Sequence, residues 1–201
     1  LMEQLLKKII FYGDSNTYGY DVCGILDRRF PPEDRWTDLL LATGKWDVRA
    51  YGMNGRQIPH NDADYAWLHQ ILLNTEPYDL FCIMLGTNDL LFLQEPDLGV
   101  PEKRMDDLLS YLTSSPLPAR SSRDSRPPEN ASANSTPPEN ASEDSRPPGS
   151  RILLLAPPSF EIRESWYAGH NRESLFFSER YRTLSVKYQT HFANVDQVVK
   201  D

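Results

Sequence analysis

Three short polar stretches each follow a segment that reads as a strand in this chain: Gly13-Asp14-Ser15-Asn16, Gly52-Met53-Asn54-Gly55-Arg56 and Gly86-Thr87-Asn88-Asp89. Ser15 stands just past a β-branched, apolar segment. That is where a buried strand would deliver a polar turn. In open α/β sheets ligands bind outside the carboxyl ends of the strands, so Ser15 is placed to act as a nucleophilic hydroxyl. Gly13 before it leaves space that a Cβ would obstruct. The same residue types also make ordinary turns and helix caps, so the first stretch alone does not decide between chemistry and capping.

The elements that must position these stretches are legible in order. Residues 9–12 form a first strand, and 13–30 read mainly as loop. Pro31-Pro32-Glu33-Asp34 begin a helix, with prolines and acids at its amino end, and Gly44 ends it. A short strand over 47–51 precedes the second polar stretch. A helix follows over about 65–74, with Leu68, Ile71 and Leu72 on one face. Residues 80–85 are almost uniformly apolar, as in a central parallel strand buried on both faces. A helix over 101–113, a strand over 152–156, a long helix over 174–188 and a last short strand over 191–195 complete the pattern. Strand alternating with helix defines the α/β class.

Composition changes sharply over residues 114–150, which hold eight of the sixteen prolines and a near-repeat of Ser-x-Pro-Pro-Glu-Asn-Ala-Ser. This Pro/Ser-rich, low-complexity insertion has no apolar face and is expected to be disordered or extended. Asn130, Asn134 and Asn140 fit acceptor spacing for glycosylation, which in a chain with no secretory signal is read as accidental. The remaining length suits one domain, so residues 1–201 are expected to be a single domain interrupted by that insertion.

Formal charge is −8, from 21 basic and 29 acidic residues. With no basic patch, nucleic acid is not an expected partner. No apolar run approaches the length of a membrane span, and a cytoplasmic location is the default expectation. Cys23 and Cys82 form no Cys-x-x-Cys pair, and no cluster has metal-ligand spacing. Neither metal nor cofactor is expected.

Taken in order, the three stretches resemble the first three blocks of the SGNH/GDSL hydrolase superfamily, and are closest to its arylesterase-like branch. Arg29-Phe30-Pro31-Pro32-Glu33-Asp34-Arg35-Trp36 and Ala156-Pro157-Pro158 extend the likeness. The resemblance implies a three-layer α/β/α sandwich with a parallel, flavodoxin-like sheet, and hydrolysis of small acyl or acetyl esters. It implies Ser15 as nucleophile. The backbone amides of Ser15 and Gly52 and the side-chain amide of Asn88 would form an oxyanion hole. Fixed N–H donors suit that task because acyl transfer develops negative charge on the carbonyl oxygen. Asp14, Asn54, Phe160 and Trp166 are the expected substrate-binding residues, with loops 21–30 and 160–171 lining the entrance. Their aromatic residues also suit plain packing or a homo-oligomer contact.

One departure stands out. The family's Asp-x-x-His block, expected near the carboxyl end, is absent. Asp196 is followed at that spacing by Val199. The domain therefore reads as C-terminally incomplete, and a serine without a base is a poor nucleophile at neutral pH. Two alternatives stay open: a catalytically silent domain used for binding or assembly, and acyl transfer to an acceptor other than water.

Overall fold

The computed structural model describes residues 6–24, 28–75, 77–114 and 148–196. Five strands form one fully parallel sheet: β1 (Lys7–Gly13), β2 (Trp46–Gly52), β3 (Leu80–Met84), β4 (Ile152–Ala156) and β5 (His191–Asn194). Their order is β2-β1-β3-β4-β5. This is the flavodoxin-type doubly wound order, whose direction of winding reverses between β1 and β3. Helices on both faces make the molecule a three-layer α/β/α sandwich, as the resemblance implied.

Alternation along the strands sorts the core. Ile10 and Tyr12 of β1, Phe81 and Ile83 of β3, and Ile152, Leu154 and Ala156 of β4 point to one face. That face is sealed by helices α3 (Asp62–Thr75), α5 (Gly99–Ser114) and α7 (Phe177–Tyr188), which bury Leu68, Met105, Leu108, Phe177 and Tyr181. Ile9 and Phe11 of β1, Val48 of β2 and Cys82 of β3 point to the other face, where Leu40 of α2 (Trp36–Ala42) packs against them. Leu153 and Leu155 also point there but are only partly buried. The same strand thus has one face sealed and one face incompletely covered.

Several elements differ from expectation. The region after β1 is not mainly loop. A single helical turn, α1 (Ser15–Tyr18), starts at once, capped by Asp14, whose Oδ1 accepts from Asn16 N. Four residues are too short to show a helical period. The Pro31-Pro32 start gives only a 3₁₀ turn (Pro32–Asp34). Arg35 then leaves the helical region at φ −89°, ψ 121°, and α2 begins at Trp36. The helix expected over 174–188 starts three residues later as α7, and a separate short helix, α6 (Ala168–Ser174), precedes it across Leu175-Phe176. They serve different neighbours. Ser174 of α6 bonds with Phe160 of the preceding loop, whereas Phe177, Tyr181 and Leu184 of α7 face the sheet at helical spacing. The expected entrance loop 160–171 therefore ends inside α6. A further short helix, α4 (Thr87–Leu91), carries the third polar stretch.

Helix α5 runs to Ser114, and a 3₁₀ turn (Pro148–Arg151) leads into β4. The expected disorder and the three asparagines at glycosylation spacing fall within 115–147, outside the described residues. Among the described residues no helix is long and apolar enough to cross a membrane.

Candidate active site

Register brings the three polar stretches to one level. Gly13 pairs with Gly52 on one side and Met84 on the other, so Ser15, the 53–56 turn and the start of α4 leave the sheet together. This is the carboxyl edge at the point where winding reverses. The close approach explains two glycines. A Cβ on Gly13 would lie 2.0 Å from Thr17 Oγ1, and one on Gly52 would lie 2.2 Å from Tyr18 N. Helix α1 could not sit over the strand ends with any side chain at either position.

Asn88 is nearly buried, and its Nδ2 donates to the carbonyl of Arg56 at 2.9 Å. A primary amide carries two hydrogens, so one remains for another acceptor. Asp89, fully buried, accepts from Ile58 N at 3.0 Å through Oδ2 and from Arg104 Nη1 at 2.7 Å through Oδ1. Burial raises its pKa, opposed mainly by the Arg104 hydrogen bond. The Arg56 guanidinium donates to Gly13 O at 3.0 Å and to Tyr51 O, and lies over the Tyr12 ring. Met53 N also donates to Gly13 O, at 3.2 Å. The loop carrying Asn54 is thus tied to both flanking stretches, while Asn54 itself is exposed at the turn.

Asp14 is 1 % exposed, and its Oδ2 has no hydrogen-bond partner among the described residues. Burial is the main cause of a pKa raised to about 6, and the nearby Asp89 carboxylate adds to it. The Asn16 hydrogen bonds pull the other way. Asp14 is therefore a cap on the turn that presents Ser15.

The four imidazoles are placed elsewhere. His60 Nδ1 donates to Ile58 O at 2.8 Å and lies 3.4 Å from Asp64. His170 is buried with Nε2 on Leu93 O at 2.8 Å, and His191 Nε2 meets Ser150 O at 3.0 Å. His69 is exposed on α3. Among the described residues none is hydrogen-bonded to Ser15. No group of three or more metal-binding side chains occurs among the described residues.

A cavity of about 540 Å³ opens beside Asn16 on the incompletely covered face. It is lined by Trp36, Met84, Leu155, Pro158, Ala193 and Val195, with Asn194. Trp36 is held there by its Nε1, which donates to Asn16 O at 3.0 Å, and by edge contact with Phe11. Neither Phe160 nor Trp166, the aromatics expected at a substrate site, lines this cavity. Phe160 packs against the main core, and Trp166 is 71 % exposed beside Tyr167. The sequence marks Trp36 only as one apolar position of a helix, and Arg56 only as a turn cation. A cation following Gly-x-Asn-Gly at a strand end was the available signal for Arg56.

The family model for the GDSL-like lipase/acylhydrolase family matches residues 11–201. A nucleophile-like serine and an amide donor at adjoining strand ends fit the hydrolases that this family describes. The chain belongs to the GDSL-like lipase/acylhydrolase family. Among solved structures it is similar to a carbohydrate acetylesterase family member from Sinorhizobium meliloti. The identity is 25 %, 96 % of this chain and 84 % of that chain are covered, and the TM-score is 0.69. It is similar also to the M. smegmatis aryl esterase, at 22 % identity, 95 % and 85 % coverage and a TM-score of 0.64. An SGNH-hydrolase family esterase shares 18 % identity over 95 % of this chain and 77 % of that chain, with a TM-score of 0.53. No curated protein matches.

Proposed function

We propose that this chain is the nucleophile-bearing body of a serine ester hydrolase that acts on small acyl or acetyl esters through an acyl-enzyme on Ser15. The observation that carries the reading is the placement of Ser15 and the Asn88 amide at the adjoining ends of β1 and β3, with Gly52 level with Gly13 on the other side of β1. Similarity to the S. meliloti carbohydrate acetylesterase family member supports a small acyl group.

In this mechanism Ser15 Oγ attacks the ester carbonyl. A base takes the hydroxyl proton and returns it to the departing alcohol. The tetrahedral oxygen takes hydrogen bonds from the amides of Ser15 and Gly52 and from Asn88 Nδ2. Water then releases the acyl group by the same steps in reverse order of groups. None of the four histidines is hydrogen-bonded to Ser15: His60, His170 and His191 meet backbone carbonyls, and His69 lies exposed on α3.

The test is p-nitrophenyl acetate turnover by the full encoded protein and by its Ser15→Ala variant. Loss of about 10⁴-fold or more is expected; equal rates sink the role of Ser15. The same histidine placements favour a second reading, a silent domain used for binding. Negligible turnover by every form of the encoded protein would establish that one.

A further inference from the structure

Arg56 is the one described residue whose groups touch all three polar stretches. Its Nη1 donates to Gly13 O, just before Asp14-Ser15, at 3.0 Å, and to Tyr51 O at the end of β2. Its Cζ lies 4.3 Å from the centroid of the Tyr12 ring. Its own carbonyl accepts Asn88 Nδ2 at 2.9 Å. The residue is 6 % exposed. A buried guanidinium with two carbonyl acceptors and an aromatic face beneath it is fixed in place. The main chain that carries it is fixed with it.

We infer that Arg56 is a positioning residue for Asn88. Its side chain anchors the loop to the ends of β1 and β2, and its carbonyl then holds the Asn88 amide so that the second Nδ2 hydrogen is kept for the substrate oxygen. This rests on the reading of Asn88 as an oxyanion donor. The type of residue matters. Arginine supplies several donors in a rigid plane and lies flat on a ring, whereas lysine offers a single point charge on a flexible stem. The neighbouring Ile58 N–Asp89 bond steadies the far side of the loop, so Arg56→Lys would loosen the carbonyl without releasing the whole segment. A donor displaced by a fraction of an ångström still meets a bound ester but meets the transition state poorly.

The experiment is a double-mutant cycle on the full encoded protein, reading kcat and KM for p-nitrophenyl acetate per mole of folded enzyme. Arg56→Lys is expected to lower kcat by about 10- to 100-fold with KM within about threefold. Asn88→Ala is expected to lower kcat by about 10²–10³-fold. The double variant should fall within about threefold of Asn88→Ala alone, because an anchor has nothing to position once the amide is gone. A residue that merely stabilised the fold would leave kcat per folded enzyme unchanged, and one acting independently of Asn88 would give losses that multiply. Multiplying losses, or an unchanged kcat in Arg56→Lys, overturn the inference alone. An unchanged kcat in Asn88→Ala overturns the donor role and the inference with it. Should Arg56→Lys fail to fold, Tyr12→Leu, which removes the ring face beneath the guanidinium, enters the same cycle with the same expected non-additivity.

Discussion

The ends of β1, β2 and β3 and the ends of β4 and β5 finish on the same edge of one sheet, yet they are built in opposite ways. At the first three, polar groups are tied across the loops: Met53 N and Arg56 to Gly13 O, Asn88 to Arg56 O, Ile58 N to Asp89. At the last two, Ala156 runs into Pro157-Pro158, which lack amide donors. The loops there are joined by Ser159 N on Asp196 Oδ1 at 3.0 Å. Beside that joint lies the apolar cavity of Leu155, Met84, Trp36 and Val195. Donors that are already paired and immobile need little reorganisation when charge appears near them. An apolar recess offers contact but no stabilisation of charge. The two ends are suited to different parts of acyl transfer.

That division can be broken by experiment. The largest effect expected is on rate. In the full encoded protein Asn88→Ala should cost 10²–10³-fold in kcat, while Leu155→Ala should change kcat by less than about threefold and act mainly on KM. Comparable kcat losses at both positions would erase the distinction. Stability should divide along β4 in a similar way. Leu154, fully buried, should lose about 2–5 kcal/mol on replacement by alanine. Leu155, partly exposed on the cavity side, should lose about half of that or less. Urea unfolding of the two variants measures both, and equal losses would mean the second face is as well sealed as the first.

A smaller effect concerns Asp14, whose buried Oδ2 on the polar side has, like Thr17 Oγ1 and Thr87 Oγ1, no partner among the described residues. Its folded pKa, about 6, stands above the ordinary 3.8. Below about pH 4 both the folded and the unfolded chain hold the proton. Between pH 4 and 6 only the folded chain does, so its contribution to stability is full at low pH and is lost as pH rises through 6. Asn caps a helix as well as Asp does and cannot ionise. Asp14→Asn should therefore gain on the parent between pH 4 and 7.5, by about 1–3 kcal/mol. Parallel stability curves for the two proteins would show that Asp14 is not buried as an ionising acid.

The sequence carried this architecture unevenly, for physical reasons. Strands β3 and β4 are apolar at every position, and β1 is so over residues 9–12, the pattern of strands within a parallel sheet. The first and third polar stretches were visible because each follows such a run, and the second because glycine and asparagine mark a turn after a short strand. Helix α1 was not, since one turn has no period. Helix α6 was not visible because its seven residues are mixed in polarity, and the later start of α7 is set by the neighbours that each helix meets. Aromatic character suggested Phe160 and Trp166 for the substrate site. It specifies a need for apolar contact but not the partner; Phe160 packs against the core and Trp166 lies exposed beside Tyr167. Arg56 was silent for the converse reason. A charged residue in a glycine turn suggests solvent, and only the fold reveals the two carbonyls and the ring that enclose it.

The crossover from α5 to β4 has a separate consequence, for how such a protein can change over generations or be altered by design. It leaves the helix at Ser114 and meets β4 through a 3₁₀ turn that packs against that same helix. In a parallel sheet a connection entering β4 does so at the amino edge, opposite the edge that holds Ser15 and Asn88. Lengthening a connection whose ends already adjoin adds little closure entropy, only about 0.6 kcal/mol for each doubling. Thirty-three residues, 115–147, occupy that connection here. The joint is a natural port: a reporter domain, an affinity tag or a tether grafted between Ser114 and Pro148 would enter the chain on the side away from the reacting groups.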